Sequence, residues 1–420
     1  MAIDGCFVQR ATATTVALLR FILSGCRLVF LLGASLVGCI DKKLELSLLA
    51  SNEIQFNNAA SFYPKHGGLI GYFDDSTGRT EHYYFLQNDA LTLHHAVVSA
   101  QTADAKSHPK RVTAEPVNLS HLFRHTLHPL EAMGVIAADS LVFIDGDLHN
   151  ICLTTAHGKV LRQWQPRAPI YGHTRYFIDT SFDPIYSRRN LLYLRCGPHI
   201  GTIISDSTLF NQFLSFKSGL TLSHRDTSFA SNATGAFPDF LSAKNNYNIT
   251  GSSACVSPDG HYIFSFGSFS ELFDYDAAGH ERTVQVPSRY HRPAKSLPFA
   301  DLTNRLALVN YKLTEPEYGR ILNDPYRRVY LRVYMHGLPD ASRQAVRPAY
   351  ADMPWSLLLI NQNFERIGEI TFSAAYDPRL ILVTRRGILV GNHRPEHAGY
   401  DPRSLSFRLF TYQTVPRSAP

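Results

Sequence analysis

Most of the chain has the hydrophobic pattern of short β-strands. From about residue 68 to residue 412, apolar or alternating runs rich in Tyr, Phe, Val and Ile are separated by Gly, Asp, Asn and Pro. Runs of this length, bounded by turn residues, predict strands rather than helices. The clearest predicted strands are residues 83–86, 141–144, 191–194, 262–266, 355–360 and 381–384.

One order of elements recurs along the chain: strand, polar turn, strand and a glycine turn. It is complete at residues 140–160 and 259–281, and residues 355–370 repeat its second half. The spacing is a loose multiple of about 60 residues, which suits a propeller blade with insertions. The pattern therefore predicts an all-β fold, a six-bladed β-propeller with short helical insertions. Two separate β-sandwich domains, joined near residues 220–250, are the alternative.

Two insertions have helical spacing instead. Residues 118–130 place their apolar positions on one helix face, with Asn118 as the N-cap and Pro129 near the end. Residues 206–219 show the same spacing between an acidic residue and a glycine. The apolar positions are Leu119, Leu122, Phe123, Leu127 and Leu130 in the first segment, and Leu209, Phe210, Phe213 and Leu214 in the second.

Near the N-terminus an apolar run ends in a cysteine. Residues 28–40 are apolar or small and follow Arg27. They are too few to span a bilayer, which takes roughly 20 apolar residues, and their layout is that of a secretory signal. Residues 36–39, Leu-Val-Gly-Cys, resemble the lipobox of bacterial lipoproteins. That resemblance implies cleavage before Cys39 and a diacylglyceryl group on its sulfur; a chance cysteine in a signal anchor is the alternative.

These features divide the chain into three predicted parts. A lipoprotein signal peptide covers residues 1–38, a lipid-anchored linker covers 39–67, and the propeller domain covers 68–415. The 27 residues before the apolar run are long for a basic region, which leaves open a translation start downstream of Met1. The mature chain is expected to attach to the lipid bilayer through acylated Cys39, because two or three acyl chains hold more firmly than one.

Three segments together resemble a known family. The turn at residues 257–260, Ser-Pro-Asp-Gly, resembles the repeat of TolB-like propellers. Residues 323–332 and 358–369, together with the lipobox, resemble an uncharacterised family of six-bladed β-propeller lipoproteins from Bacteroidetes, domain of unknown function 4221. The resemblance covers nearly the whole mature chain. It implies the fold and an outer-membrane location, facing the periplasm or the cell surface, but no activity and no site residues.

Composition excludes several classes. A hydrophobic share of 45% and a charged share of 18% describe a globular protein. The net charge of +6 is spread along the chain without a basic, aromatic-rich run, so no nucleic-acid partner is expected. Past the anchor, Cys152, Cys196 and Cys255 lie far apart in apolar stretches. Buried thiols are favoured there over a single disulfide, and zinc-type spacing is absent.

Catalytic motifs are missing. The sequence has no glycine-rich phosphate loop, no Gly-x-Ser-x-Gly and no His-Glu-x-x-His, so we predict no catalytic residues and no cofactor. His121, His125 and His128 would share one face of a helix. A polar helix surface is favoured there over a metal site, and no metal is predicted.

The strongest candidate for ligand binding is the predicted strand at residues 327–334. Alternation places Arg328, Tyr330, Arg332 and Tyr334 on one face, with Asp324 just before them. On an inner strand, Arg328, Tyr330, Arg332 and Asp324 would present arginine and tyrosine to carboxylates, phosphates or sugars in the central channel. The alternatives are an outer strand facing water, or arginines paired with Asp324 and other acids within the sheet.

These observations favour a membrane-anchored binding or scaffolding module of the bacterial envelope. Its partner is expected to be an envelope protein or a carbohydrate, contacted by the loops at residues 220–252 and 285–300. The rival is a propeller hydrolase or lyase acting on a periplasmic or surface glycan, since fold alone does not decide function. An enzyme should bring acids and histidines together in a pocket, whereas a scaffold should expose an apolar or aromatic patch.

Overall fold

A computed structural model provides the structure of the protein. It describes residues 44–57, 70–75, 77–87, 91–99, 110–122, 130–145, 151–164, 176–177, 184–188, 190–195, 197–198, 207–215, 217–223, 234–239, 241, 253–338, 352–392 and 403–416. One compact unit spans Ser47–Gln413, and a second comprises Met1–Leu46 and Thr414–Pro420, of which residues 44–46 and 414–416 are described.

Strands make up most of the described chain. They are β1 (Leu44–Asn57), β2 (Ile70–Asp74), β3 (Thr80–Gln87), β4 (Thr92–Ser99), β5 (Lys110–Thr113), β6 (Glu115–Asn118), β7 (Leu130–Ala137), β8 (Ser140–Asp145), β9 (Ile151–Thr154), β10 (Val160–Trp164), β11 (Tyr176–Phe177), β12 (Tyr186–Arg188), β13 (Leu191–Arg195), β14 (Gly197–Pro198), β15 (Gly219–Ser223), β16 (Ser253–Val256), β17 (Tyr262–Ser265), β18 (Glu271–Tyr275), β19 (Glu281–Gln285), β20 (Glu317–Asp324), β21 (Val329–Met335), β22 (Trp355–Asn361), β23 (Arg366–Phe372), β24 (Asp377–Val383), β25 (Ile388–Gly391) and β26 (Ser404–Pro416). The helices are α1 (Ser207–Leu214) and α2 (Arg305–Thr314), with 3-10 turns at Ser120–Leu122 and Phe299–Thr303.

These strands form six sheets that follow one another along the chain. Sheet 1 has the order β2-β3-β4-β6, sheet 2 β7-β8-β9-β10, sheet 3 β12-β13-β15, sheet 4 β16-β17-β18-β19 and sheet 5 β20-β21-β22-β23. Sheet 6 has the order β24-β25-β26-β1-β5, and β11 pairs with β14 apart from these. Successive strands pair antiparallel, as in a meander, whereas β1 and β5 pair in parallel.

The sheets are arranged as the blades of a propeller. The first strand of each sheet contacts the first strand of a neighbouring sheet, for the pairs β2–β7, β7–β12, β16–β20, β20–β24 and β24–β2. Sheets 3 and 4 are joined by Arg188 Nη1, which donates to Ser257 O at 3.0 Å, and by Tyr262, whose hydroxyl donates to Leu194 O at 3.2 Å. The prediction of a six-bladed propeller is confirmed, and the alternative of two sandwiches is not.

Ring closure uses both ends of the chain. Sheet 6 combines three C-terminal strands with β1, so residues 44–57, which were expected in the linker, belong to a blade. The reason is burial: Phe56 of β1 packs its ring 6.0 Å from Phe407 and 4.8 Å from Phe85 of sheet 1. The expected signal peptide and Cys39 lie outside the described residues.

The six clearest predicted strands are confirmed, in β3, β8, β13, β17, β22 and β24. Strand β3 shows why: its side chains alternate between two neighbouring sheets. Tyr83 and Phe85 pack in the core shared with sheet 6, while Tyr84 and Leu86 pack in the core shared with sheet 2. A strand buried on both faces therefore has the continuous apolar run seen in the sequence.

Of the two predicted helices, one is confirmed. Helix α1 lies within residues 206–219 and buries Phe210 and Leu214. In the other segment, Asn118 Oδ1 accepts a hydrogen bond from Ser120 N at 2.8 Å, but only the 3-10 turn Ser120–Leu122 follows among the described residues. The helix prediction is wrong at Leu130, which pairs with Asp145 at the start of β7. Residues 123–129, with His125 and His128, lie outside the described residues.

Helix α2 was not predicted, and it lies between the predicted loop at residues 285–300 and β20. Asn304 caps it by accepting hydrogen bonds from Leu306 N and Ala307 N. None of the described helices is long and apolar enough to cross a membrane. Cys152 and Cys255 are buried thiols, as expected, and Cys196 lies outside the described residues.

Candidate ligand-binding site

The predicted ligand-binding strand is β21, the second strand of sheet 5. Strand β20, not β21, is the strand of this sheet that contacts the neighbouring first strands. Every residue of β21 is buried. Tyr330 and Tyr334 belong to the core cluster that also contains Cys255 and Ile263 of sheet 4. The arginine–tyrosine face therefore lies between two blades rather than along the central channel.

Arg332 is held entirely within this contact between the blades. Its Nε donates to Ser265 Oγ at 2.8 Å, and its two terminal nitrogens donate to the carbonyl oxygens of residues 269, 270 and 271 at 2.7, 2.7 and 3.2 Å. The guanidinium carbon lies 3.8 Å from the centroid of the Tyr318 ring, which is a cation–π contact. Burial lowers the pKa of Arg332 to about 10, so the side chain stays charged at neutral pH. Arg332 joins sheets 4 and 5.

The other predicted residues lie elsewhere on sheet 5. Asp324, at the end of β20, is buried and accepts hydrogen bonds from Arg327 Nη1 at 3.0 Å and from the Tyr412 hydroxyl at 2.7 Å. This agrees with the alternative in which Asp324 pairs with an arginine inside the protein. Arg328 does not continue the face of β21, since it is exposed in the β20–β21 turn with a φ of 56°. The Tyr330 hydroxyl donates to Gln362 Oε1 at 3.3 Å. A ligand-binding role for these four residues stays a prediction.

The structure does bring together two segments that the sequence marked separately. The tyrosines at the start of β20 and the end of β21 hold the loop after β19, within the 285–300 segment. The Tyr318 hydroxyl accepts a hydrogen bond from Ser288 N at 3.0 Å and lies 3.1 Å from His291 Nδ1. The Tyr334 hydroxyl accepts from Arg292 N at 3.1 Å and donates to the carbonyl of residue 290 at 3.1 Å. The loop is thereby attached to the blade through its backbone at three points and through the His291 side chain at a fourth.

Two buried carboxylates complete the attachment. Glu369 of β23 accepts hydrogen bonds from Ser288 Oγ at 2.5 Å and Arg289 N at 2.7 Å. Glu315 accepts from Lys295 N at 3.0 Å. Arg366 also donates to the carbonyl of residue 287 at 2.7 Å, across 79 residues of sequence. Two backbone amides and the Ser288 hydroxyl thus satisfy these carboxylates, and the side chains of residues 289–296 are all at least partly exposed.

Residues that are exposed or half-buried around this loop form a cationic, aromatic surface. We name as the loop surface Arg289, Tyr290, His291, Arg292, Lys295 and Arg366. Tyr290 is 47% exposed, and its ring lies 4.7 Å from that of His336. Arg289 and Arg292 each keep 35% of their side chains exposed, with long ion pairs of 3.7 and 3.8 Å to the buried carboxylates. Four cations thus stand above two acids, which is a suitable arrangement for carboxylate or phosphate groups.

His291 is the titratable group at the centre of the loop surface. Burial lowers its pKa, and the neighbouring charge of Arg332 lowers it further, while Glu271 acts in the opposite direction. The imidazole is therefore neutral at pH 7. Burial raises the pKa of its partner Tyr318 to about 12, so the phenol keeps its proton. Within the described part of the chain, no three His, Cys, Asp or Glu side chains are grouped so as to hold a metal ion.

Sequence reasoning missed the residues that shape this site, chiefly Tyr318 and Glu369. Tyr318 lies 27 residues from His291, and Glu369 lies 81 residues from Ser288. No local spacing links them. A buried glutamate within an apolar strand was the one available signal, because a charge is seldom buried without a partner.

Comparison with known proteins bears on the fold. No family profile and no curated protein match the sequence. The crystal structure of a DUF4221-family member from Bacteroides vulgatus aligns with a TM-score of 0.66 at 16% identity, covering 89% of this chain and all of that one. A Bacteroides fragilis protein described as exported aligns with a TM-score of 0.46 at 10% identity, over 90% and 97% of the two chains. Virginiamycin B lyase from Staphylococcus aureus aligns at 0.38 and 9%, over 87% and 99%.

At these identities the comparisons speak to the fold alone. The resemblance to the DUF4221 propellers is confirmed at that level, because the alignment spans the whole of the Bacteroides vulgatus chain. The chain is therefore a six-bladed β-propeller with the fold of the DUF4221-family protein from Bacteroides vulgatus.

Proposed function

We propose that this protein is a membrane-anchored lipoprotein of the bacterial envelope whose propeller binds an anionic ligand at the loop surface. The observation that carries the proposal is the pair of exposed residues Arg289 and Tyr290, with half-buried Arg292 beside them, on a backbone fixed from below by buried Glu369 and Tyr334. A backbone that is already ordered loses little entropy on binding, so the side chains act on a prepared frame. The ligand class favoured by this chemistry is a glycan that carries carboxylates.

Charge and ring chemistry support that ligand class. Guanidinium groups bind carboxylates through two parallel hydrogen bonds, and a tyrosine ring offers an apolar face to a sugar. An acidic envelope protein would use the same chemistry, and a loop surface that does not bind an acidic oligosaccharide would favour that partner instead. The lipobox at residues 36–39 supports attachment to a membrane through Cys39. Mass spectrometry of the native product should find acylated Cys39 at the N-terminus, and Cys39→Ala should release the protein from the membrane fraction.

Binding is tested with oligogalacturonate as the probe, by isothermal titration calorimetry at two salt concentrations. Arg289→Gln combined with Tyr290→Ala should weaken binding at least tenfold, since one bidentate contact and one ring contact are lost. Arg282→Gln, at an exposed position of β19, is the matched control and should leave affinity unchanged. Equal binding of a neutral oligosaccharide, or no effect of the double variant, would overturn the glycan assignment.

A glycan lyase is the second candidate, and one contact favours it. His291 Nδ1 lies 3.1 Å from the Tyr318 hydroxyl, so a neutral imidazole of the loop surface contacts the protonated phenol of buried Tyr318. A pair of this kind can remove and return a proton. Formation of an unsaturated product from oligogalacturonate, lost in His291→Gln, would place this reading ahead of simple binding.

A further inference from the structure

Three turns meet at the end of sheet 5 that lies opposite the loop surface. These are the β2–β3, β20–β21 and β24–β25 turns, from sheets 1, 5 and 6. Arg385 forms an ion pair with Asp74, and the Tyr326 hydroxyl donates to the same carboxylate at 2.7 Å. Arg327 Nη2 donates to the carbonyl of Arg385 at 2.5 Å. The three turns therefore form one continuous surface.

On this surface the cations face outward and most of the acids face inward. Arg79 and Arg328 are exposed, and the side chain of Arg385 is 49% exposed. Of the acids, Asp324 and Glu81 are buried, and Asp74 keeps 11% of its side chain exposed. Asp75 is the acid at the surface, and its carboxylate caps the β2–β3 turn by accepting from Arg79 N at 2.8 Å. Tyr326, 37% exposed, lies among the arginines, with the Arg385 guanidinium 5.4 Å from its ring centre.

The polypeptide enters the compact unit beside this surface. Leu49, 54% exposed, accepts a hydrogen bond through its carbonyl from Thr411 Oγ1 at 3.5 Å. The next residue of β26, Tyr412, donates to Asp324 and lies under the Arg327 guanidinium at 4.8 Å. The compact unit begins at Ser47, eight residues after Cys39. An extended chain of that length reaches about 30 Å at most.

We infer that this turn surface, defined as Leu49, Arg79, Tyr326, Arg328 and Arg385, faces the bilayer and contacts its anionic headgroups. The inference rests on the proposed anchoring through Cys39, because the short connection keeps acylated Cys39 within reach of the surface. Arginines bind phosphate groups and are drawn to anionic leaflets, tyrosine is enriched at the membrane–water interface, and leucine can enter the acyl boundary. The loop surface, at the opposite end of β20, is then turned away from the membrane and open to its ligand.

The test uses the acylated protein reconstituted in nanodiscs that contain phosphatidylglycerol and spin-labelled lipid. An environment-sensitive dye is attached at Arg328→Cys or, for comparison, at Arg289→Cys on the loop surface, and the signal of identically treated wild-type protein is subtracted. Quenching at position 328 should exceed that at position 289 at least fivefold. In phosphatidylcholine nanodiscs the quenching at position 328 should fall severalfold. The same fall is expected in anionic nanodiscs when Arg79→Gln is added and Arg385 is left unchanged, since each basic residue contributes about fivefold to membrane attraction.

The outcomes separate the inference from the anchoring on which it rests. Equal quenching at the two positions, or stronger quenching at position 289, would overturn the assignment of the turn surface while the protein stays in the nanodisc. Quenching at position 328 that does not depend on lipid charge would overturn the headgroup contact. A protein that lacks the acyl group on Cys39 and does not enter nanodiscs would contradict the anchoring itself.

Discussion

Arg332 shows how much a single residue can be tied to its surroundings. The side-chain hydrogen bonds given for Arg332 all go to residues 265–271 of sheet 4, although the residue itself belongs to sheet 5, and its charge lies on the face of Tyr318. A buried charge is tolerated only when it is fully paired, so the geometry of the donors matters more than the charge alone.

We therefore expect Arg332→Lys to destabilise the protein, although it keeps the charge. A lysine ammonium cannot reach one hydroxyl and three carbonyl oxygens at once, which leaves buried acceptors without donors. The free energy of unfolding should fall by about 3 kcal/mol or more, as measured by urea denaturation. Arg328→Lys, at an exposed turn, is the control and should change it by less than about 0.5 kcal/mol. A neutral result for Arg332→Lys would mean that the contact is not needed to join sheets 4 and 5.

A histidine pair on sheet 1 is the second residue-scale feature. His82 Nδ1 and His95 Nε2 lie 3.1 Å apart, so an N–H of one neutral ring can donate a hydrogen bond to the other. The ring of His95 also stacks on Tyr84, with centroids 4.6 Å apart, and meets the edge of His157 from sheet 2 at 6.5 Å. Burial lowers the pKa of both histidines, and the charges of His82 and His157 lower the pKa of His95 further. Asp75 and Asp139 act in the opposite direction on His82, and Glu115 and Asp139 on His95.

The pair should make the protein less stable in acid. Histidines whose pKa is lowered on folding bind fewer protons in the folded state, so stability rises with pH. The stabilisation from the neutral pair is fully present above the unfolded value of 6.5 and is lost as the pH falls from there through the folded pKa values. Thermal melts between pH 8 and pH 4 should show this loss, and His95→Gln should flatten it. His280→Gln, at an exposed turn, should keep the wild-type slope; identical slopes for both variants would contradict the role of the pair.

At the scale of elements, the loop after β19 depends on strands far away in sequence. Its order comes from β20, β21 and β23, which supply Tyr318, Tyr334 and Glu369. A loop that is held by buried acceptors is expected to be as rigid as the blade beneath it, although its side chains face solvent.

Glu369→Gln should loosen this loop without unfolding the blade. The glutamine side chain is neutral, so the bonds from Ser288 and Arg289 lose their charge assistance and the ion pairs to Arg289 and Arg366 are lost. Hydrogen exchange of the amides at residues 288–292 should accelerate about tenfold or more, which corresponds to the loss of roughly 1.4 kcal/mol of local stability. Exchange in β24 should stay unchanged. Uniform acceleration throughout the protein would instead indicate global destabilisation.

At the scale of the whole molecule, closure of sheet 6 joins strands from both ends of the chain. Sheet 6 contains strands from both ends of the chain and packs on sheet 1, so it joins the last blade to the first and closes the ring. Phe56 is the centre of that joint, with Tyr83 at 5.1 Å, Phe85 at 4.8 Å and Phe407 at 6.0 Å.

Phe56→Ala should therefore destabilise the entire propeller. Removing a fully buried ring leaves a cavity and costs about 3–5 kcal/mol. The far-ultraviolet circular dichroism of urea-unfolded samples should show a lower midpoint with one cooperative transition. Leu49→Ala, an exposed position on the same strand, should leave the midpoint within experimental error. A second transition, or an unchanged midpoint, would show that the ring does not depend on this closure.

Most of the blades were predictable from the sequence, because strand patterns are local. Residues 83–86 are a continuous apolar run, which is the pattern of a strand with both faces buried. Residues 257–260, Ser-Pro-Asp-Gly, are typical turn residues, and they connect two paired strands. The helix prediction for residues 118–130 also came from a local pattern. Apolar positions three apart suit a single 3-10 turn as well as a long helix, and Leu130 instead pairs with Asp145 of β8.

The strands, the number of blades and the cationic, aromatic character of residues 285–334 could thus be predicted from the sequence, since each follows from residues that are close together along the chain. The tertiary structure alone decided that β21 is second in its sheet, that Arg332 faces sheet 4 and that Glu369 lies beneath Ser288. Those facts depend on which surfaces pack together across many tens of residues. No periodicity within one segment specifies its partner.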